Sequence, residues 1–195
     1  MPQSTSSKPA KPIRLVVLDR DGVINEDSDD YVKCADEWQP IAGSPEAIAR
    51  LSRAGWRVVV CSNQSGIGRG LFDLDALNEM HRKMHRLVAK AGGRIDAVLF
   101  CPHIPEAVCE CRKPRPGLLY ELMERLGVEL AGMPVVGDSL RDLQAGMAVG
   151  ARPVLVRTGK GERTLADNSR LNAEVFDDLA AFVDALLKEE ATAES

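Results

Sequence analysis

The chain has 195 residues, 45% hydrophobic and 28% charged, the balance of a soluble globular protein of one ordinary domain or two very small ones. Lys plus Arg number 25 against 29 Asp plus Glu, a net charge of −4, so no general field draws the chain to nucleic acid or to an anionic membrane surface. No apolar run approaches the roughly 20 residues that span a bilayer, and the expectation is a cytoplasmic monomer that partners small molecules, not nucleic acid or membrane.

Residues 1–12 hold Ser, Lys and Pro without an apolar core and read as a disordered leader, not a secretory signal. One domain is expected over 13–188, followed by a frayed tail over 189–195. Ile13–Leu18 reads as the first strand. Ser44 and Pro45 read as the cap and first turn of a helix that carries Ile48 and Leu51 and stops near Gly55. A second strand follows at Arg57–Cys61. Asp73 opens a longer helix with Leu74, Leu77, Met80, Met84, Leu87 and Val88 on one face, closed by Gly92 and Gly93. Strands at Ala97–Phe100, Met133–Val136 and Pro153–Val156 then alternate with helices at Gly117–Leu126, Leu140–Val149 and Asp178–Lys188. Short β-branched runs between helices predict a Rossmann-like three-layer α/β fold, a parallel sheet with helices on both faces.

In such sheets ligands sit at the carboxyl ends of the strands. The first strand ends in Asp19-Arg20-Asp21-Gly22, the second in Ser62-Asn63-Gln64-Ser65, and the fourth in Gly137-Asp138-Ser139 with Asp142 just beyond. Residues two apart in extended chain point the same way, so Asp19 and Asp21 with Asp138 form a trio that calls for a hard divalent cation, Mg²⁺ by its oxygen-only ligation. An Asp carboxylate can attack phosphorus and a second carboxyl can move the proton, while a lysine, a hydroxyl and the metal hold the phosphoryl charge. His81 and His85, one turn apart, belong simply to an amphipathic helix, and Gly66, Gly68 and Gly70 form no dinucleotide turn.

The third strand leads into Cys101-Pro-His103 and Cys109-Glu-Cys111, then Arg112 and Lys113. Three thiolates and an imidazole make a complete tetrahedral set for a structural Zn²⁺. The spacing is not that of a DNA-reading finger, and the long segment has no strand or helix of its own to order it. Cys61 reads as core, and Cys34 has no evident role.

Asp19-Arg20-Asp21-Gly22, Ser62, Lys113 and Gly137-Asp138 resemble, in order, the four motifs of the haloacid dehalogenase (HAD) phosphatases. The cysteine loop and the Ser-Asn-Gln-Ser-Gly-Ile-Gly-Arg-Gly run are similar, within that superfamily, to the heptose bisphosphate phosphatases, whose nearest relatives, the histidinol-phosphate phosphatases, share the zinc loop. The resemblance implies Asp19 as nucleophile and Asp21 as general acid/base. It implies Mg²⁺ on Asp19, Asp138 and the backbone carbonyl of Asp21, and the transferred phosphoryl group on Ser62 and Lys113. It further implies a sugar bisphosphate substrate, contacts from Asp27, Tyr31, Asn63, Gln64, Ser65 and Arg112, no large cap domain, and a product that feeds ADP-heptose and lipopolysaccharide core synthesis. Arg112 is the main candidate for the remote part of the substrate and Arg69 a second one.

Overall fold

The computed structural model describes residues 13–168 and 170–193; the leader expected at 1–12 lies outside the described residues. The strands are β1 (Leu15–Leu18), β2 (Arg57–Asn63), β3 (Ala97–Cys101), β4 (Pro134–Gly137), β5 (Arg152–Val156) and β6 (Glu174–Phe176). They form one sheet in the order β3-β2-β1-β4-β5-β6, every neighbouring pair parallel. The helices are α1 (Ser44–Arg53), α2 (Ser65–Gly68), α3 (Leu74–Lys90), α4 (Gly117–Leu126), α5 (Leu140–Ala148), α6 (Gly161–Asp167) and α7 (Leu179–Ala193).

Side chains alternate across a strand, and the core divides accordingly. Val16 and Leu18 of β1 pack with Ile48 of α1, Met80 of α3 and Phe182 of α7 in one cluster. Leu15 and Val17 pack with Leu118 and Leu122 of α4 and Ala145 of α5 in another. These are the two outer layers of the expected sandwich. The sheet puts β1 at its centre, between β2 and β4, so the ends of β1, β2 and β4 converge on one edge of the molecule. The strand order changes direction at β1, which is where open α/β sheets place their ligands.

Several boundaries differ from those the sequence predicts, each for a visible reason. Ser44 is not the cap of α1: Gly43 is, in left-handed conformation at φ 84°, and the Ser44 hydroxyl donates instead to the Val23 carbonyl at 2.9 Å. Asp73 does cap α3, accepting from the Ala76 N–H at 2.8 Å. The last helix does not stop at Lys188 but continues to Ala193, because its Glu189 and Glu190 are held by Arg152 at 3.0 Å and by the Trp56 indole at 3.0 Å. Three short elements, α2, α6 and β6, lack the length or periodicity that marks an element in sequence. The segment between Gly22 and α1 folds locally, with an isolated bridge between Asn25 and Pro40, and holds no separate cap domain.

Leu18 is fully buried at the sheet centre. Leu18→Ala is expected to cost about 2–5 kcal/mol, read as a lower urea midpoint at unchanged slope. A cost under about 1 kcal/mol would mean that the strand is not part of the packed core.

Candidate active site

The site begins where the sheet ladder runs out. The Asp19 N–H still donates to the Val136 carbonyl of β4 at 2.8 Å, so the first carboxylate leaves the sheet from a fixed backbone. The chain then turns sharply at Gly22, φ 79°. A Cβ there would lie 2.0 Å from Asp138 Oδ2, and one on Gly159 would lie 2.3 Å from the same oxygen and 2.5 Å from the Gly22 Cα. Only residues without side chains let the ends of β1, β4 and β5 close on one another here.

Asp19, Asp138 and Asp142 each place a carboxylate oxygen within 4.8 Å of the others. The side chain of Asp21 stands outside this cluster. The Asp21 carboxylate is engaged elsewhere, by Arg20 Nη2 at 2.9 and 3.0 Å, Asn25 Nδ2 at 2.9 Å and Gln64 Nε2 at 2.8 Å. Arg20 is itself buried, and its Nη2 also donates to Gln64 Oε1 at 3.0 Å. Asp142 in turn is committed to the chain: its Oδ1 is 2.5 Å from Lys113 Nζ, and its Oδ2 accepts from the Ser139 N–H at 3.1 Å at the start of α5. Lys113 Nζ also lies 3.1 Å from Asp19 Oδ1 and donates to the Cys61 carbonyl at 2.8 Å. Asp138 accepts from the Lys160 N–H at 2.8 Å. Asp19 and Asp138 are thus the pair left to face a cation.

Burial raises Asp19 to about 6; the Lys113 ammonium opposes the rise, while Asp142 and Asp21 add to it. Burial, with Asp142 and Asp19 alongside, raises Asp138 to about 8. Two buried acids that bind protons this strongly lack positive charge, the deficit that a divalent cation would fill. Asp21 goes the other way: burial would raise it, but the Arg20 guanidinium and the hydrogen bonds from Asn25, Arg20 and Gln64 outweigh that and hold it low. Burial would lower Lys113, but Asp142 and Asp19 raise it above its ordinary value.

These groups surround a cavity of about 210 Å³. Of the residues expected at the substrate, Asp27, Tyr31, Asn63, Gln64, Ser65, Arg112 and Lys113 line it. Ser62 does not: it is buried behind the wall, where its hydroxyl accepts from Gln64 Nε2 at 2.8 Å. Arg69 is also outside the cavity, exposed and 3.9 Å from Glu106. Asn63 has a second task. Its amide donates to the Lys113 carbonyl at 3.0 Å and accepts from the Lys113 N–H at 3.1 Å, fixing the lysine from β2. Lys160 and Arg141 line the cavity although no motif marked them. The fifth strand end, Gly159-Lys160-Gly161, carried the signal for Lys160, a cation between two glycines.

The four zinc candidates meet in the loop after β3. Cys101 Sγ is 3.5 Å from His103 Nδ1, 3.8 Å from Cys109 Sγ and 3.2 Å from Cys111 Sγ, and His103 Nδ1 is 3.3 Å from Cys111 Sγ. A tetrahedron with Zn–S of about 2.3 Å has edges of about 3.7 Å, which these separations approach, and they are far too long for a disulfide. Arg112 donates from Nη1 to the His103 carbonyl at 3.1 Å, tying the loop to the cavity wall.

A central parallel sheet carrying an acidic triad and a buried lysine at its carboxyl edge defines a HAD-type hydrolase, and the HAD-hydrolase-like family model matches residues 110–182. The chain is 55% identical to the D-glycero-beta-D-manno-heptose-1,7-bisphosphate 7-phosphatase of Pseudomonas aeruginosa over 89% of its own length and 98% of that protein's. It is 38% identical to the Escherichia coli enzyme of that name, over 82% and 87%. The crystal structure of the Bordetella bronchiseptica D,D-heptose 1,7-bisphosphate phosphatase, complexed with magnesium and phosphate, superimposes with a TM-score of 0.89 at 52% identity, covering 91% of this chain and 99% of that one. The chain belongs to the heptose-1,7-bisphosphate 7-phosphatase family of HAD hydrolases.

The raised acids set a pH test. Asp138, at about 8 when folded, and Asp19, at about 6, hold protons that the unfolded chain releases near 4, so metal-free stability declines as pH rises through those values. Mg²⁺ is expected to raise the melting temperature more above pH 8 than near pH 6, where protons compete for the same oxygens. An equal Mg²⁺ shift at both would remove Asp138 and Asp19 from the metal site.

Proposed function

We propose that the chain hydrolyses the 7-phosphate of D-glycero-β-D-manno-heptose 1,7-bisphosphate to heptose 1-phosphate and inorganic phosphate, through an aspartyl-phosphate on Asp19. The observation that carries the mechanism is Asp19 at the cavity floor, 3.1 Å from the Lys113 ammonium, with Asp21 clamped two residues on.

Asp19 attacks phosphorus and the bond to O7 breaks. Asp21 gives the leaving oxygen its proton, then takes one from the water that opens the aspartyl-phosphate. The Arg20 guanidinium holds Asp21 low against its burial, and a dianionic phosphate arriving beside it would raise its proton affinity. Lys113 offsets the charge on the phosphoryl oxygens. Gln64 keeps the Asp21 carboxylate aimed while its own amide is braced by the Ser62 hydroxyl, so the serine serves the phosphoryl site from behind. Mg²⁺, held by Asp19, Asp138 and the Asp21 carbonyl, supplies charge neutralisation at the transferring group.

Cys101, His103, Cys109 and Cys111 would together hold a Zn²⁺, which would supply a structural cross-link ordering the loop that carries Arg112 and Lys113. Within this reading the enzyme works in the cytoplasm as a monomer. No helix among the described residues is long and apolar enough to cross a membrane.

Asp19→Asn is expected to abolish phosphate release with the melting temperature of the Mg²⁺-free protein at or above wild type, since it removes one of the crowded acids; residual turnover at the wild-type rate would reject Asp19 as nucleophile. Stripping zinc with a strong chelator is expected to lower the melting temperature and the activity, with Mg²⁺ present throughout and recovery only on adding Zn²⁺ back. An unshifted melting curve would reject a structural metal. A substrate panel under Mg²⁺ tests the assignment directly: heptose 1,7-bisphosphate should be preferred over histidinol phosphate, and the reverse preference would overturn it.

A further inference from the structure

Five cationic side chains line the cavity: Arg20, Arg112, Lys113, Arg141 and Lys160. Three are matched by acids of the same cavity. Arg20 is paired with Asp21, Lys113 with Asp19 and Asp142, and Lys160 with Asp27. Arg112 and Arg141 have no carboxylate partner among the described residues. They also border a second depression, of about 320 Å³, on the side of the cysteine loop, which puts both at the outer rim of the site.

The two arrive from unrelated parts of the fold. Arg112 follows Cys111, with its Nη1 bound to the His103 carbonyl. Arg141 stands in the first turn of α5, between Ser139 and Asp142, whose mutual hydrogen bonds fix the backbone on either side of it. Burial, and after it the charge of Arg141, lowers the proton affinity of Arg112. Two guanidiniums brought to one rim without an ion-pair partner repel, and an anion in that position relieves the repulsion. The floor of the cavity, by contrast, is already supplied with Lys113 for the reacting phosphoryl group. The rim therefore suits a second phosphate at the far end of the same small molecule.

We propose that Arg141 joins Arg112 in gripping the phosphate that is not cleaved, and so sets the preference for a bisphosphate over a monophosphate. The proposal rests on the sugar-bisphosphatase reading and names a residue that the motifs do not. Arg is suited to the role because its planar fork can bind two phosphate oxygens at once.

The measurement is the ratio of kcat/KM for heptose 1,7-bisphosphate to that for the 7-monophosphate. Arg141→Ala is expected to lower the ratio about 10- to 100-fold, the value of a charged hydrogen bond to phosphate, and Arg141→Lys to lower it less. The Arg112→Ala/Arg141→Ala double variant should lose less than the product of the two single losses, because both residues hold one group. A ratio within about twofold of wild type for Arg141→Ala, or fully multiplicative losses, overturns the proposal. Should the wild-type protein cleave p-nitrophenyl phosphate but not heptose bisphosphate, the function assigned above fails on its own. Arg141 is then judged by inhibition of that reaction by fructose 1,6-bisphosphate against fructose 6-phosphate. A bisphosphate advantage in the wild type that Arg141→Ala removes supports the rim site, while no advantage, or one that survives, rejects it.

Discussion

The molecule is organised around the cost of gathering carboxylates in one buried place. Asp19, Asp138 and Asp142 sit within 4.8 Å of one another at the edge of a parallel sheet, where water cannot screen their repulsion. Everything near them answers that cost. Lys113 is driven in from the far side of the cysteine loop to stand between Asp19 and Asp142. Backbone N–H groups at Ser139 and Lys160 take two of the outward oxygens. What remains least balanced is the face that Asp19 and Asp138 share, where the proposed metal would sit.

The division of labour among the acids follows from which partners each is given. Asp21 is one peptide beyond Arg20 in the same turn as Asp19, yet it ends with the opposite proton affinity, because a buried guanidinium and two amides outweigh its burial, whereas at Asp19 burial, with Asp142 and Asp21 beside it, outweighs Lys113. Two aspartates in a four-residue motif thereby acquire opposite proton affinities without any difference in their own chemistry, as the roles proposed for them require. The pairing depends on Gly22, since any side chain there would strike Asp138.

Much of this was legible in the chain itself. Short β-branched runs and helical periodicity marked β1 to β5 and the main helices, because buried parallel strands and amphipathic faces leave strong patterns. Asp19, Asp21, Asp138, Lys113 and the cysteine quartet stood out because each follows a strand or crowds a short loop. The short elements α2, α6 and β6 left no such pattern. Ser62 illustrates a different limit: the spacing put it at the right strand end, but side-chain direction placed Gln64 in front of it. Asp142 follows the fourth strand end, where its sequence allows either a role near the metal or a plain helix position, and its pairing with Lys113 is a contact across 29 positions of chain that no local pattern encodes. Arg141 and Lys160 are likewise visible only once the strand ends have been brought together.

The reciprocal amide contact between Asn63 and Lys113 has a bearing on how such an enzyme can change. It anchors the backbone of the lysine to the end of β2, so the placement of the ammonium rests on the sheet as well as on the cysteine loop. Lengthening a surface excursion of that kind costs little, about 0.6 kcal/mol for each doubling of its span. The cysteine segment is thus a region where new contacts to a different ester could be trialled by insertion or exchange, while the bond-breaking apparatus stays in register with the sheet.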